Sequence, residues 1–282
     1  MKLYNGREIP NIGYGTWLIK NDNACECVLM ALESGYRHID TAQAYENEVG
    51  VGEALKKTSL KREEIYITTK VAAEIKDYRK AKESIDESLR KLDLDYVDLI
   101  LIHCPQPWAL FRGKRRFFEE NIEVWRALEE AYKDGKAKAI GVSNFLVDDL
   151  ENIMNNCEIK PMANQILLHI GETPVDVIKF CQENDIVVEA YSPIAHGRAP
   201  NNETIIAMAN KYGVSVPQLC IKYTLQLDTI SIPKASSKEH IEDNMKLDFE
   251  IKEEDMVELV KLNRINYGKD AFWPVFNKKK QG

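Results

Sequence analysis

Several things are scarce in this chain of 282 residues, and each scarcity removes a class of protein. No apolar run approaches the roughly eighteen residues of a membrane-spanning helix, so no membrane partner is expected. Positive charge is in deficit, with 38 Lys and Arg against 45 Asp and Glu and a formal net charge of −7. Affinity for nucleic acid comes mainly from cations that neutralise phosphates, so a nucleic-acid partner is not expected either. The six cysteines (Cys25, Cys27, Cys104, Cys157, Cys181 and Cys220) form no C-x-x-C pair, which argues for reduced thiols over disulfides or a zinc site. The opening MKLYNGREIP is polar and lacks the apolar stretch of a secretory signal. No G-x-G-x-x-G follows a strand: Gly13-Tyr14-Gly15 lacks the third glycine and the following helix of a dinucleotide-binding turn. No low-complexity linker interrupts the chain. These absences predict a cytoplasmic protein with a single domain over residues 1–282.

What is present is an ordinary globular composition, 44% hydrophobic and 29% charged, with apolar material for a large core. Asn5-Gly6 between short strand-like pieces is a tight-turn signal, so a β-hairpin is expected at the start. Strand-like apolar runs then recur near 11–15, 37–41, 65–70, 96–102, 137–142, 161–166, 186–191 and 229–232. Helical stretches separate them. The clearest is 23–34, where Ala24, Cys27, Val28, Ala31 and Leu32 make one apolar face and Gly35 supplies the stop. Others fall at about 47–57, 76–91, 118–134, 146–156, 174–183, 202–226 and 253–263, with Thr173 placed as an N-cap and Pro174 at the first helical position. Eight strands alternating with helices require parallel crossovers, and a (β/α)8 TIM barrel is the simplest closed solution.

In such barrels reactive groups sit at the C-terminal ends of the strands. Asp40 ends the second predicted strand with Tyr45 in the loop beyond, Lys70 ends the third, and His103 ends the fourth. Singly, each reads as the polar end of a strand or a satisfied core group; together, in barrel register, they read as a site. A cation beside a tyrosine favours the phenolate, so Lys70 is expected to lower the pKa of Tyr45. Asp40 would keep that ammonium in place. Tyr45 then serves as general acid or base, and His103 orients a substrate carbonyl by hydrogen bonding. No metal is expected, because His103 has no second histidine at helical ligand spacing.

The stretch GYRHIDTAQAYENE at 35–48, with the onward spacing to Lys70 and His103, resembles the aldo-keto reductase family. The resemblance runs over almost the whole chain. It implies that Asp40, Tyr45, Lys70 and His103 are a catalytic tetrad, and that a nicotinamide cofactor is held on the barrel rim. By the same resemblance Ser143, Asn144 and Gln165 hydrogen-bond the carboxamide, and Tyr191, followed by Ser192 in AYSP, stacks on the ring. After the last strand, ISIPKASSKEHIEDN at 230–244 is similar to the family's adenosine 2′-phosphate site. Ser236 and Glu239 have capping-box spacing there, Lys234 adds charge, and Asp243 and Asn244 occupy the adenine-binding positions. Three departures stand out. Ala235 replaces the usual Ser or Thr, His240 replaces an arginine, and Leu167 stands where an acidic residue is common. A neutral imidazole lacks the permanent planar charge of a guanidinium, so NADPH is expected with weakened discrimination, NADH being the other candidate.

The implied reaction is reduction of a small-molecule aldehyde or ketone. Trp17, Trp108 and Phe111 follow strands and are expected to line an aromatic pocket, joined by Trp273 from the C-terminal extension, where Phe272 and Phe276 are its aromatic neighbours. The basic run Arg112, Lys114, Arg115 and Arg116 reads as a solvated loop, with recruitment of an anionic substrate as the alternative. Two other functions fit a barrel: a nicotinamide-binding regulatory or structural subunit without turnover, and a lyase or hydrolase using Lys70 as a Schiff-base nucleophile. The first has no use for a tuned phenol. The second leaves the rim of strands five to seven without purpose. No dimer motif is visible, so a monomer is the default.

Overall fold

The computed structural model describes residues 1–111, 113–262 and 265–267. The chain opens on the expected hairpin. Lys2 and Glu8 pair antiparallel, and Gly6 turns the chain at a φ of +87°, a conformation open to glycine without a Cβ clash.

Eight parallel strands follow in sequential order: β1 (Tyr14–Gly15), β2 (His38–Asp40), β3 (Tyr66–Val71), β4 (Leu99–Ile102), β5 (Ile140–Ser143), β6 (Ala163–Leu167), β7 (Val187–Tyr191) and β8 (Ile230–Ile232). The ring returns to its start through a parallel bridge of Ile12 to Ser231. There Gly13 N donates to Ser231 O at 2.8 Å and Ser231 N donates to Asn11 O at 3.0 Å. The crossovers carry α1 (Asn21–Glu33), α2 (Glu48–Lys57), α3 (Tyr78–Leu92), α4 (Phe118–Lys133), α5 (Val147–Met154), α6 (Val175–Glu183), α7 (Glu203–Tyr212) and α8 (Val216–Gln226). Two more helices, α9 (Lys238–Asp243) and α10 (Glu253–Lys261), follow β8. This is the expected (β/α)8 barrel.

The apolar face read for α1 is the one it buries: Ala24, Cys27, Val28, Ala31 and Leu32. Two local expectations fail for physical reasons. The stretch 202–226 is two helices, because Gly213 adopts φ +66° and ends α7, after which Ser215 caps α8 by accepting from Gln218 N. Pro217 then sits in the first turn of a new helix, where no amide hydrogen is missed. Thr173 does not cap α6: Pro174 holds the cap position, and the Thr173 hydroxyl lies 2.7 Å from that of Tyr223.

Both faces of the strands are buried, as a parallel sheet covered by helices requires. Ile39, Ile67, Ile100, Leu101, Ile102 and Val142 are fully buried alongside Leu128 of α4, and Trp125 of that helix donates its indole N–H to Ile159 O at 3.0 Å. Each such side chain contributes roughly 1.5–3 kcal/mol by leaving water. The strands are thereby fixed as rigid arms whose C-terminal ends meet at one mouth.

Candidate active site

The register β2 to β3 sets Asp40 beside Thr68, and β3 runs on two residues to Lys70. Lys70 has no exposed surface, and its ammonium donates to Asp40 Oδ1 at 2.8 Å, Asp40 Oδ2 at 2.7 Å and Thr41 O at 2.9 Å. Its fourth neighbour is the Tyr45 hydroxyl at 3.4 Å. The expected link from Asp40 through Lys70 to Tyr45 is therefore formed. Tyr45 ends a turn of 3-10 helix, Gln43–Tyr45, that other side chains hold. Gln43 accepts from Ala72 N at 2.9 Å and donates to Ser84 O and Ser88 Oγ at 3.0 Å each. Just beyond, buried Asn47 accepts from Thr41 Oγ1 at 2.7 Å and donates to Thr16 O and Ile19 O. His103, one residue past β4, completes the group, its ring edge-on to Tyr45 with centroids 5.5 Å apart.

The protonation states differ in one respect from expectation. The Tyr45 phenol is not lowered on balance despite Lys70 beside it: burial, and then the negative charge of Asp40, hold it well above its ordinary value of 10.0. The phenol is accordingly protonated at neutral pH, the state a proton donor requires. Burial, then Lys70, then Lys76 hold the His103 imidazole well below 6.5, so it is neutral. Its Nδ1 is buried without a hydrogen-bond partner among the described residues.

Around the rim, Ser143 ends β5 and donates to Gln165 O at 2.8 Å. Asn144, in the left-handed conformation at φ +63°, donates to His103 O at 3.0 Å and Ser143 Oγ at 3.1 Å and accepts from the Tyr191 hydroxyl at 2.8 Å. Gln165 of β6 donates both amide hydrogens, to Asp40 Oδ1 at 2.7 Å and to Glu189 Oε2 at 2.9 Å. With their N–H groups engaged, Gln165 offers the rim its carbonyl oxygen, and Asn144 one that also accepts from the Tyr191 hydroxyl. That acceptor set fits the NH2 of a nicotinamide carboxamide. Ser192 also has positive φ, and its hydroxyl lies 3.4 Å from His196 Nδ1.

Glu189 is a buried residue at the site that sequence reasoning did not single out. It is a fully buried carboxylate on β7, its neighbours are His38, Asp40, Tyr66, Lys70 and Gln165, and burial and then Asp40 push it up to about 7. The available signal was the lone acid within IVVEAY, an apolar strand where charge is costly. Lys76 was also missed: its ammonium donates to Cys104 O at 2.8 Å and Asn121 Oδ1 at 2.9 Å, tying the loop after β3 to the one that carries Trp108.

Among the residues expected to meet substrate, Trp108 stands edge-on to His103 at 5.3 Å and to buried Phe111 at 5.6 Å. Trp17, 40% exposed, meets His196 across the mouth at 5.3 Å. Trp273, Phe272, Phe276 and Arg112 lie outside the described residues. Arg115 pairs with Glu120, and Arg116 with Asp148 and Asp149, so the basic loop is a set of ion pairs with Lys114 exposed beside them.

The far end after β8 is different in kind. Lys234, Ser236 and His240 are exposed, and the Lys234 ammonium has Ser236 Oγ at 3.5 Å. Ser236 is not the cap of α9: Ser237 holds that position and accepts from His240 N, because the helix starts one residue later than the spacing suggested. Asp243 accepts from Ser215 Oγ at 2.8 Å and Gln218 Nε2 at 2.9 Å, so its carboxylate fastens α8, while Asn244 is buried.

Comparison with known proteins agrees with this geometry. The profile of the Aldo/keto reductase family matches residues 11–264. The chain is 41% identical over 266 residues to glyoxal reductase of Bacillus subtilis, covering 94% of this chain and 92% of that protein. It is 35% identical over 267 residues to methylglyoxal reductase DkgA of Escherichia coli, with 94% and 93% covered. Among solved structures it superposes on an aldo-keto reductase from a Medee basin deep-sea metagenome library with a TM-score of 0.87 at 39% identity, covering 94% of this chain and 95% of that one. A Bombyx mori aldo-keto reductase in complex with NADP gives 0.84 at 32% identity, over 94% and 92%. The matched span takes in β1 to β8 and with them Asp40, Tyr45, Lys70 and His103: the chain belongs to the aldo/keto reductase family.

Proposed function

We propose that the chain reduces small aldehydes and ketones to alcohols with NADPH, using Tyr45 as the proton donor. The observation that carries this is the buried Lys70 ammonium, clamped by Asp40 and Thr41 O with the Tyr45 hydroxyl at 3.4 Å. When bound, the reduced nicotinamide supplies the hydride. The chain supplies everything else. Ser143, Asn144, Gln165, Tyr191 and Ser192 would hold the nicotinamide end, and Lys234, Ser236, His240, Asp243 and Asn244 line the adenosine end. His103, neutral and edge-on to Tyr45, orients the substrate carbonyl toward the phenol. Tyr45 then gives its proton to the carbonyl oxygen as negative charge gathers there, and Lys70 stabilises the phenolate left behind. Trp17, Trp108 and Phe111 wall the pocket and exclude water; Trp273, expected with them from sequence, lies outside the described residues.

Small aldehydes are the favoured class, supported by relatives named for glyoxal and methylglyoxal reduction. NADPH is favoured over NADH by Lys234 and by neighbours solved with NADP or NADPH. The same reading takes residues 1–282 as one domain of a cytoplasmic protein, a monomer by default; six free cysteines support a reducing compartment, and among the described residues no helix is long and apolar enough to cross a membrane. The test is consumption of NADPH, then NADH, followed by the loss of reduced-nicotinamide absorbance. The panel is methylglyoxal, a nitrobenzaldehyde, a diketogluconate and a neutral aliphatic ketone. Turnover that favours NADPH is expected. Tight NADPH binding with no turnover on any carbonyl would contradict the proposal.

A further inference from the structure

Glu189 is an acid in a place that has no evident need of one. It has no exposed surface, and Val187, Val188 and Ala190 around it on β7 are buried apolar residues. It is not one half of an ion pair. The nearest base, His38, has Nε2 at 3.9 Å from Oε1, but that nitrogen lies 2.9 Å from Thr68 Oγ1, and burial and Lys70 push the His38 imidazole down to about 3, leaving it neutral. Glu189 Oε1 has no hydrogen-bond partner among the described residues. Among the described residues its one hydrogen bond is the one its other oxygen accepts from Gln165 Nε2 at 2.9 Å.

That single bond has a definite consequence. Gln165 and Glu189 face each other as register partners on β6 and β7, so the contact is set by the sheet and not by a loop. The two amide hydrogens of Gln165 go to Glu189 and Asp40: the Asp40 carboxylate, ion-paired to Lys70, accepts only, and Glu189 keeps an acceptor oxygen whether ionised or neutral. Turning the amide over would set its carbonyl oxygen against the Asp40 carboxylate and strip Glu189 Oε2 of its donor. The nitrogen is therefore fixed inward, and Oε1 is the one polar atom of the group left for a ligand. With Glu189 absent, one hydrogen is orphaned and the amide is free to swing about its bond to Asp40.

We propose that Glu189 is a positioning residue, which with Asp40 locks the Gln165 amide so that its carbonyl oxygen receives the nicotinamide carboxamide. This rests on the reading of Gln165 as a carboxamide-binding residue. Asp40 then serves two purposes: one carboxylate anchors Lys70 behind the proton donor and Gln165 behind the hydride donor. The pose of the cofactor ring and the place of the phenol are set by a common group.

The test compares affinity for NADPH with affinity for 2′,5′-ADP, which lacks the nicotinamide, in the full chain. Glu189→Met and Glu189→Leu remove the acceptor without adding charge, and two versions guard against one failing to fold. Either is expected to weaken NADPH about fivefold, the scale of one lost buried hydrogen bond, and to leave 2′,5′-ADP within about twofold. Glu189→Gln, which keeps an acceptor oxygen, should restore most of the NADPH affinity. Gln165→Met should weaken NADPH selectively, and adding Glu189→Met to it should cost nothing further, because both changes act through one amide. Additive losses, or equal losses for NADPH and 2′,5′-ADP in the Glu189 variants, would overturn the positioning role while leaving Gln165 in its own. No selective loss in Gln165→Met would overturn the carboxamide reading and this proposal with it.

Discussion

Lys70, within β3, and Lys234, two residues past β8, both lie on the proposed cofactor path, and they are built on opposite plans. Lys70 is sealed from solvent, with its ammonium on a carboxylate, a carbonyl and a phenol. Lys234 is exposed, with a serine hydroxyl at 3.5 Å. The difference marks two kinds of work. A group that must hold a reacting atom in place is fixed by neighbours that leave it no alternative, while a group that meets a mobile phosphate from solvent can stay loose. Burial also changes what a lost charge does, because an unpaired buried ion has no water to turn to.

The largest expected effect that separates the two ends is therefore on stability. Lys70→Met leaves Asp40 buried with, among the described residues, only Gln165 to donate to it, and should cost about 3–5 kcal/mol in urea unfolding, whereas Lys234→Ala should leave the midpoint unchanged. Equal midpoints for the two variants would erase the distinction.

Glu189 sharpens the comparison through pH. Its folded-state value is raised to about 7 from an ordinary 4.5, so the fold favours the neutral acid. The unfolded chain releases that proton first as pH rises. The stability held below about pH 4.5 is thus lost as pH climbs through about 7, a change of roughly 3 kcal/mol. Glu189→Gln should match wild type near pH 4.5 and exceed it near pH 8, read by urea unfolding at both. Wild type gaining on the variant as pH rises would reverse the sign and refute the account of that carboxylate.

The smallest effects belong to the exposed end. Lys234→Ala should raise the NADPH dissociation constant about fivefold and leave that of NADH alone, the modest scale of a solvated charge contact. His240→Arg should move the preference the other way by supplying a planar cation. An NADH dissociation constant at or below that of NADPH in the wild type would remove the assigned role of Lys234.

The same division governs what could be read from sequence. At the mouth, strand register does the placing, so Asp40, Lys70 and His103 were legible from the ends of apolar runs, and Tyr45 from its distance to one of them. The local turn at Gly213 and the cap at Ser237 were misread because each hangs on a backbone angle or a one-residue shift that several polar neighbours satisfy equally well on paper. Glu189 was passed over for another reason: its partner, Gln165, is 24 residues away in sequence, and only the β6–β7 register brings them together. The direction of the Tyr45 shift was misjudged because spacing reveals Lys70 but not the depth of burial or the counter-charge of Asp40.

The most direct test of the central claim is a single change at the phenol. Tyr45→Phe removes the proton donor and nothing from the rim that would hold NADPH, so kcat/KM for methylglyoxal should fall by about 10²- to 10⁴-fold while the NADPH dissociation constant stays within about twofold. Retention of most of the activity in that variant would contradict Tyr45 as the acid and the chemistry built around it.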